Sequence, residues 1–247
     1  MKRFISPVLL LIVWELIARG GFVNPFLVPA PSTVLLALLN MLWSMELLVN
    51  LYVSLKRIVA GFAIAVVLSV AIGMLMARIR AVELLLDPLV ELIRPVSPLA
   101  ILPLAILWFG IGEASKIFLV ALACSFPIIL NTYAGVRAID VNYIRAARSL
   151  GASNGEILRR IVLPGCLPQT FTGIRIAWGI ALIVIIAAEM IGGQSGIGYM
   201  ILDAQQTFRV ERVFAGIIAI GVLGVLTDLG FRYIRGHVLP WHREVRD

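Results

Sequence analysis

Charge is scarce in this 247-residue chain. Asp, Glu, Lys and Arg together make up 14% of it, where a soluble domain carries about a quarter. Hydrophobic residues reach 61% and the mean hydropathy is +1.01, so a water-soluble globular domain is excluded. Lysine is rarer still: Lys2, Lys56 and Lys116 are all there are. None stands in a glycine-rich loop, and nothing reads G-x-x-x-x-G-K-[ST], so the chain cannot hold nucleotide in the P-loop manner. His237 and His242, the only histidines, fall in a charged tail and read as solvated side chains rather than metal ligands. Cys124 and Cys166 lie in or beside apolar runs and read as small buried hydrophobes, with no disulfide implied. No cluster of acids, His or Ser at helical spacing suggests an intramembrane enzyme.

Apolar runs fill the space that charge leaves. Ile58–Ala77 and Ile117–Val136 are free of charge and long enough to cross about 30 Å of hydrocarbon. Phe4–Ala18, Ile176–Ile191 and Val213–Phe231 are each interrupted by one acid, namely Glu15, Glu189 and Asp228. Val82–Phe109 is longer and broken by Pro88, Pro95, Pro98 and Pro103. These runs alternate too little for barrel strands. The expectation is an all-α membrane protein of six spans, read as a single domain over residues 1–247. Glu15 inside the first run, and the lack of an Ala-x-Ala site, favour a retained span over a cleaved signal.

A further charge-free run, Gly20–Met45, is broken early by Pro25, Pro29 and Pro31. Its second half reads as an interfacial helix rather than a seventh span. With the amino terminus inside, fourteen Lys and Arg residues flank the inner ends of the spans and six the outer ends, Arg94 being unassigned. That asymmetry places both termini in the cytoplasm. The net charge of +7 is therefore a topology signal and not a nucleic-acid footprint.

Residues 145–164 form a basic island, R-A-A-R-S-L-G-A-S-N-G-E-I-L-R-R-I-V-L-P, which the charge count sets in the cytoplasm. Val141, Ile144, Ala147 and Leu150 share one stripe, and Gly151 can take the positive φ that ends a helix. Ser153 and Glu156 have capping-box spacing and open a second short helix with Ile157, Leu158, Ile161 and Val162 on its apolar side. Pro164 and Pro168 are expected to stop that helix before the next span. A compact helix–turn–helix on the wet side of a membrane protein is a docking surface.

Ala146-Ala147, Gly151 and Ile161-Val162-Leu163-Pro164 resemble the EAA loop of binding-protein-dependent ABC importer permeases, with Arg145 where that family usually has Glu. Ser54–Gly61, Arg94–Gly112 and Thr172–Tyr199 are similar to its nitrate, sulfonate, taurine and bicarbonate branch. The resemblance implies a type I importer fold with a coupling loop at about 138–168. It also implies a second permease copy forming a homodimer, two cytoplasmic ATP-binding subunits and an extracytoplasmic solute-binding protein, all at the inner membrane. ATP and Mg would be bound by the partner ATPase, with no cofactor in this chain and no nucleic acid. Arg145, Ala146, Ala147, Arg148, Gly151, Ala152, Arg159 and Pro164 would form the ATPase-docking surface, with Arg160 adding charge at its rim.

Broken backbone at membrane depth is tolerated only when buried in protein or lining water. The expected pathway segment is therefore Arg94–Pro103, with Arg94, Ser97 and Pro98 as candidates and Arg175 and Glu189 alongside. Asp228 reads more simply as a snorkelling interfacial acid or an arginine partner than as a transport residue. Gly192–Tyr199 contains a Gly-x-Gly but no preceding strand, so a dinucleotide site is excluded. It is either a turn or a loop that lies close to solute. An ion-coupled secondary transporter would show paired broken helices in two halves, and one broken segment is visible.

Overall fold

The computed structural model of the chain describes residues 2–238 other than 22 and 25, without the side chains of residues 2–5, 7 and 8. Pro25, His242, Arg243 and Arg246, used in the sequence reading, lie outside the described residues. Every regular element among the described residues is helical. In chain order they are α1 (Lys2–Arg19), α2 (Pro31–Trp43), α3 (Glu46–Arg78) and α4 (Arg80–Ile93). A 3-10 turn (Pro98–Ile101) leads into α5 (Leu102–Phe109), followed by α6 (Glu113–Arg137) and α7 (Val141–Ser149). Next come α8 (Asn154–Ile157), a π turn (Leu158–Val162), α9 (Leu163–Gly192), α10 (Ile197–Gln206) and α11 (Val210–Val238).

Among the described residues, four continuous helices are long and apolar enough to cross a membrane: α3, α6, α8 through α9, and α11. The pair formed by α4 and the segment Pro98–Phe109 is apolar enough to be a fifth, bent by 90° at its break. At 13 residues, α2 rises about 20 Å and is too short to span. That agrees with the interfacial reading. α1 has 18 residues and carries Glu15 and Arg19, paired with each other at 2.6 Å near its end.

The chain divides into two compact units. One comprises Met1–Lys56 with Ile186–Leu223, and the other Arg57–Ile185 with Gly224–Asp247.

In the second unit the helix directions can be read from paired residues. Arg57 meets Glu113, a separation of 56 residues. The backbone at Gly61 lies against the Ile117 carbonyl and Val120, and that at Gly73 against the Ile129 carbonyl and Thr132. The same offset recurs at all three points, so α3 and α6 run parallel. Glycine is required at 61 and 73 because an added Cβ would stand 2.6 and 2.8 Å from those carbonyl oxygens. Parallel helices have a topological consequence: the chain leaves α3 at one end and enters α6 at the other. Residues 80–109 therefore return across the bundle, and the bent pair is a broken span rather than a re-entrant loop. α4 is held there by Val90, packed with Met76 and Ile129, and by Glu83, which accepts from Arg80, Tyr133 and Arg137.

α9 runs antiparallel to α6, since Cys124 Sγ–H reaches the Ala177 carbonyl at 3.3 Å while Gly135 lies against Cys166. Both cysteines are free and buried, as expected. α11 is antiparallel to α9 in turn, through Arg175 with Asp228 and Phe171 with Phe231.

Two proline expectations are corrected. Pro88 does not break the third span, because it sits inside α4; the break is at residues 94–97. Pro164 and Pro168 do not stop the helix after the capping box, because one helical path runs from Asn154 to Gly192 through the π turn. There Leu163 N–H donates to Leu158 O, five residues back. The wider turn shifts the hydrogen-bond register just ahead of Pro164, where the missing N–H and ring clash would otherwise terminate an α-helix.

In the first unit, Val34 and Met41 of α2 pack with Leu47, with Ile197, Met200 and Ile201 of α10, and with Ala215 of α11. The Trp14 and Phe214 rings are 5.6 Å apart, and α1 runs antiparallel to the start of α11, since Arg19 shares a cavity wall with Val210 and Leu11 shares one with Ile218.

Candidate functional site

The helix–turn–helix is built as its residues dictate. Asp140 caps α7, its Oδ1 accepting from Asn142 N–H at 2.8 Å. Gly151 takes φ 82°. Gly151 N–H donates to Arg148 O at 2.9 Å and Ala152 N–H to Ala147 O at 3.0 Å, the two bonds of a Schellman end. Ser153 then opens α8 with both bonds of its capping box: Ser153 N–H to Glu156 Oε2 at 2.9 Å, and Glu156 N–H to Ser153 Oγ at 3.3 Å.

A helical path of 39 residues from Asn154 rises about 58 Å, far beyond one hydrocarbon thickness, and its capped end carries Glu156, Arg159 and Arg160, charges that belong in water. There the Ser153 backbone N–H, and then its hydroxyl, hold the Glu156 carboxyl below the usual range.

Ile157 and Val162 face inward as predicted. α7 is different. It has no buried residue; Val141, Tyr143 and Leu150 are exposed, Leu150 to 88%. Ile144 and Ala147 are only partly covered. Arg145, Ala146, Arg148, Gly151, Arg159 and Arg160 are exposed, and Ala152 and Pro164 are half-buried. None of the four arginines meets a carboxylate in an ion pair among the described residues. α7 thus leaves an apolar stripe uncovered, interleaved with exposed arginines. Beside it, Ala134, Gly135, Ala138, Pro164, Gly165, Pro168 and Gln169 line a groove of about 480 Å³. Glycine is required at 135 because an added Cβ would meet the Gln169 Cβ at 2.9 Å.

The broken span presents its polar groups at the bend. Arg94 caps α4 and Ser97 precedes the 3-10 turn; both are exposed, and Pro98 is half-buried. The turn is partly stitched by Val96 N–H to Ile93 O at 2.9 Å and Ala100 N–H to Ser97 O at 3.0 Å. Arg175 gives Nε to Asp228 Oδ1 at 2.6 Å, and Arg232 gives Nε to Oδ2 at 2.9 Å. Asp228 is therefore the arginine partner that the sequence suggested. Arg57 is 2% exposed and grips Glu113 with Nε and Nη2; Lys116 is also buried, and its Nζ donates to Gly112 O at 3.1 Å.

Glu189, in the other unit, is fully buried. It accepts from Ser54 Oγ at 2.8 Å and from Gly198 N–H at 3.0 Å. Ser54 Oγ accepts in turn from Ile197 N–H at 2.9 Å, and Asn50 Oδ1 from Gly196 N–H at 2.9 Å. The glycine-rich segment folds onto Glu189 because its glycines leave room. A Cβ at Gly196, where φ is 107°, would run into the Glu189 carboxylate, and one at Gly198 into the Ile186 carbonyl. The start of α10 thus gives one N–H, that of Gly198, to the internal carboxylate directly, and a second, that of Ile197, to the Ser54 hydroxyl that bonds it.

Residues 69–239 match the family described as the binding-protein-dependent transport system inner membrane component. The chain is 38% identical to a putative aliphatic sulfonates transport permease of Bacillus subtilis, over 98% of this chain and 87% of that one. It is 39% identical to the taurine transport system permease of Escherichia coli, over 96% and 88%. It is 37% identical to the bicarbonate transport system permease of Synechococcus elongatus, over 75% and 67%. Among solved structures, an inward-facing MetNI methionine ABC transporter chain superposes with a TM-score of 0.68 at 17% identity, covering 81% of this chain and 98% of that one. A chain of an amino acid ABC transporter gives 0.63 at 21%, covering 83% and 98%. These two likenesses carry the fold.

Proposed function

The chain belongs to the family of inner membrane components of binding-protein-dependent transport systems, and from that premise we infer how it works as the permease subunit of an ABC importer. The observation that carries the coupling mechanism is α7, a helix with no buried residue, joined by a fixed turn to the 39-residue path through α9. A lever of this kind needs a partner on its uncovered face. We assign that face to an ATP-binding subunit, which would hold ATP and Mg.

In this reading two permease copies enclose the path, two ATP-binding subunits sit in the cytoplasm and a solute-binding protein docks outside. α1 is the sixth span, which sets both termini in the cytoplasm. ATP-driven closure of the ATPases displaces the loops at Arg145–Pro164, and the helices rock to expose the path to either side. Ala146, Ala147 and Gly151 permit close approach, while Arg145, Arg148, Arg159 and Arg160 supply charge at the rim.

The cargo we propose is a small oxyanion such as a sulfonate or bicarbonate, as the names of the three relatives suggest. Arg94 at the bend is the group of choice for it, because Arg175 is partly neutralised by Asp228. The test is purification of the complex followed by ATP hydrolysis with the binding protein and candidate anions. An ATP-binding subunit should copurify, and hydrolysis should rise with the transported anion. A chain that purifies without an ATPase yet drives uptake from an ion gradient would overturn the reading.

A further inference from the structure

We propose that the α1–α2–α11 corner is a binding site for one glycerophospholipid with a phosphate–ammonium headgroup. Two cavities in the first unit, each walled by α1, α2 and α11, carry the inference. The larger, about 760 Å³, has Arg19 and Glu211 on its wall with Phe26, Thr33 and Phe208. The smaller, about 330 Å³, is lined by Leu11, Trp14, Leu35, Leu38 and Ile218 and is almost wholly apolar.

Their order along the helices matches an amphiphile. On α1 the wall passes from Arg19 to Leu11, and on the antiparallel α11 from Val210 to Ile218. The steps are four to eight residues on α1, from Ala18 and Arg19 to Trp14 and Leu11, and seven to eight on α11, so the apolar cavity lies roughly 6–12 Å deeper along these helices than the polar one. α2 bridges them, with Thr33 lining the first and Leu35 and Leu38 the second. A polar head and an apolar tail are thus offered their places in the sequence a bilayer imposes.

The charges select the head. Glu211 is half-buried and has no ion-pair partner among the described residues. An ammonium is the cation that would complete it. Arg19 commits Nε to Glu15 at 2.6 Å and Nη2 to Ser32 Oγ at 3.0 Å, which leaves Nη1 to donate to a phosphate. Phe208 lines the larger cavity from an unusual backbone. It holds φ 55° at the end of α10, where glycine is normal, and its ring is 86% exposed. An exposed aromatic ring at a polar–apolar boundary suits the headgroup level of a membrane.

The inference rests on the chain lying in a bilayer and is independent of the proposed cargo. The probe is the intact transporter complex in nanodiscs of dioleoyl-phosphatidylethanolamine and dioleoyl-phosphatidylglycerol in equal amounts, with retained lipid counted by native mass spectrometry. One ethanolamine lipid per permease chain should survive detergent stripping, in excess over the glycerol lipid. Glu211→Gln removes the ammonium partner and should reduce that preference about fivefold while the complex stays assembled. Ile218→Trp fills the tail cavity and should abolish retention of either lipid, with Leu35→Trp from the opposite wall giving the same result if Ile218→Trp fails to assemble. Retention at the bulk ratio, or retention indifferent to Glu211→Gln and to the cavity-filling variants, would overturn the proposal. So would loss of binding-protein docking in Glu211→Gln with lipid retention intact, which would give the groove to a protein partner.

Discussion

The Ser54 hydroxyl donates to the Glu189 carboxylate at 2.8 Å, across 135 residues of sequence. The same oxygen accepts the Ile197 N–H at 2.9 Å, and the carboxylate accepts the Gly198 N–H. A single hydroxyl therefore links α3, the end of α9 and the start of α10. Buried carboxylates are costly unless hydrogen-bonded, and here the bonds also fix the path of a glycine-rich segment whose one buried large apolar side chain is Ile197. The outcome is a bolted loop rather than a slack one.

Ser54→Ala should release that bolt. It strips one donor from a buried carboxylate and leaves the Ile197 N–H without an acceptor, a loss of about 1–3 kcal/mol. Amide exchange at Ile197 and Gly198 should quicken about tenfold or more relative to the core of α9. Exchange unchanged at both amides would mean that the fold holds the loop by other means.

Glycines on the membrane helices should separate by what lies opposite them. Gly73→Ala sets a Cβ 2.8 Å from the Ile129 carbonyl and 2.9 Å from Thr132 Cβ on the parallel helix α6. The expected cost is about 1–3 kcal/mol, the usual range for overpacking. Gly179→Ala meets nothing within 4 Å and should be neutral or stabilising by up to about 1 kcal/mol through helix propensity. Thermal denaturation of the solubilised complex compares the two; equal midpoints would contradict the close α3–α6 approach.

Gly151 tests the coupling turn by conformation alone, because no atom lies within 4 Å of the Cβ it lacks and its φ is 82°. Asn tolerates that region and should keep solute-stimulated ATP hydrolysis. Ala should weaken it, at a conformational cost of about 1–2 kcal/mol, and the β-branched Val should lose it. Transport at the normal level by Gly151→Val would reduce the helix–turn–helix to a linker.

Topology is tested at Asn154, the first residue of α8. The charge count predicts a cytoplasmic position for it. A cysteine there should resist an impermeant thiol reagent in intact cells and react after permeabilisation. Labelling in intact cells would invert the orientation.

Local chemistry made part of this molecule legible in advance. Gly151 and the Ser153–Glu156 box are set by bonds within a few residues, so the turn could be read directly. That α2 is too short to span followed from length and proline placement. Failures came where distant or compensating contacts decide. Pro164 and Pro168 looked like helix stops because nothing local announces the π turn at Leu158–Val162 that accommodates the first of them. Arg57 and Lys116 looked like charges at span ends, whereas a 56-residue offset between parallel helices sets Arg57 against Glu113. Periodicity within one helix carries no trace of that pairing. Glu189 was readable as an unusual acid, but its engagement with Ser54 is tertiary.

The remaining question is where the solute passes, and the bend at residues 94–97 is the place to ask it. α3 and α6 run parallel, so the segment between them has to cross back, and it does so through a 90° break. Backbone that leaves the helical ladder at membrane depth, with each unsatisfied group costing several kcal/mol in hydrocarbon, needs water or protein around it. Arg94→Ala would confound attraction of an anion with support of the bend, so cysteines at Ser97 and Leu99 are the sharper probes. A small charged thiol reagent should reach at least one of them in the assembled transporter, and the rate should change with solute and with nucleotide trapping as the path opens and closes. Inaccessibility of both positions in every nucleotide state, in a complex that still transports, would make the prolines packing kinks. The search would then move to the α9–α10 turn beside Glu189.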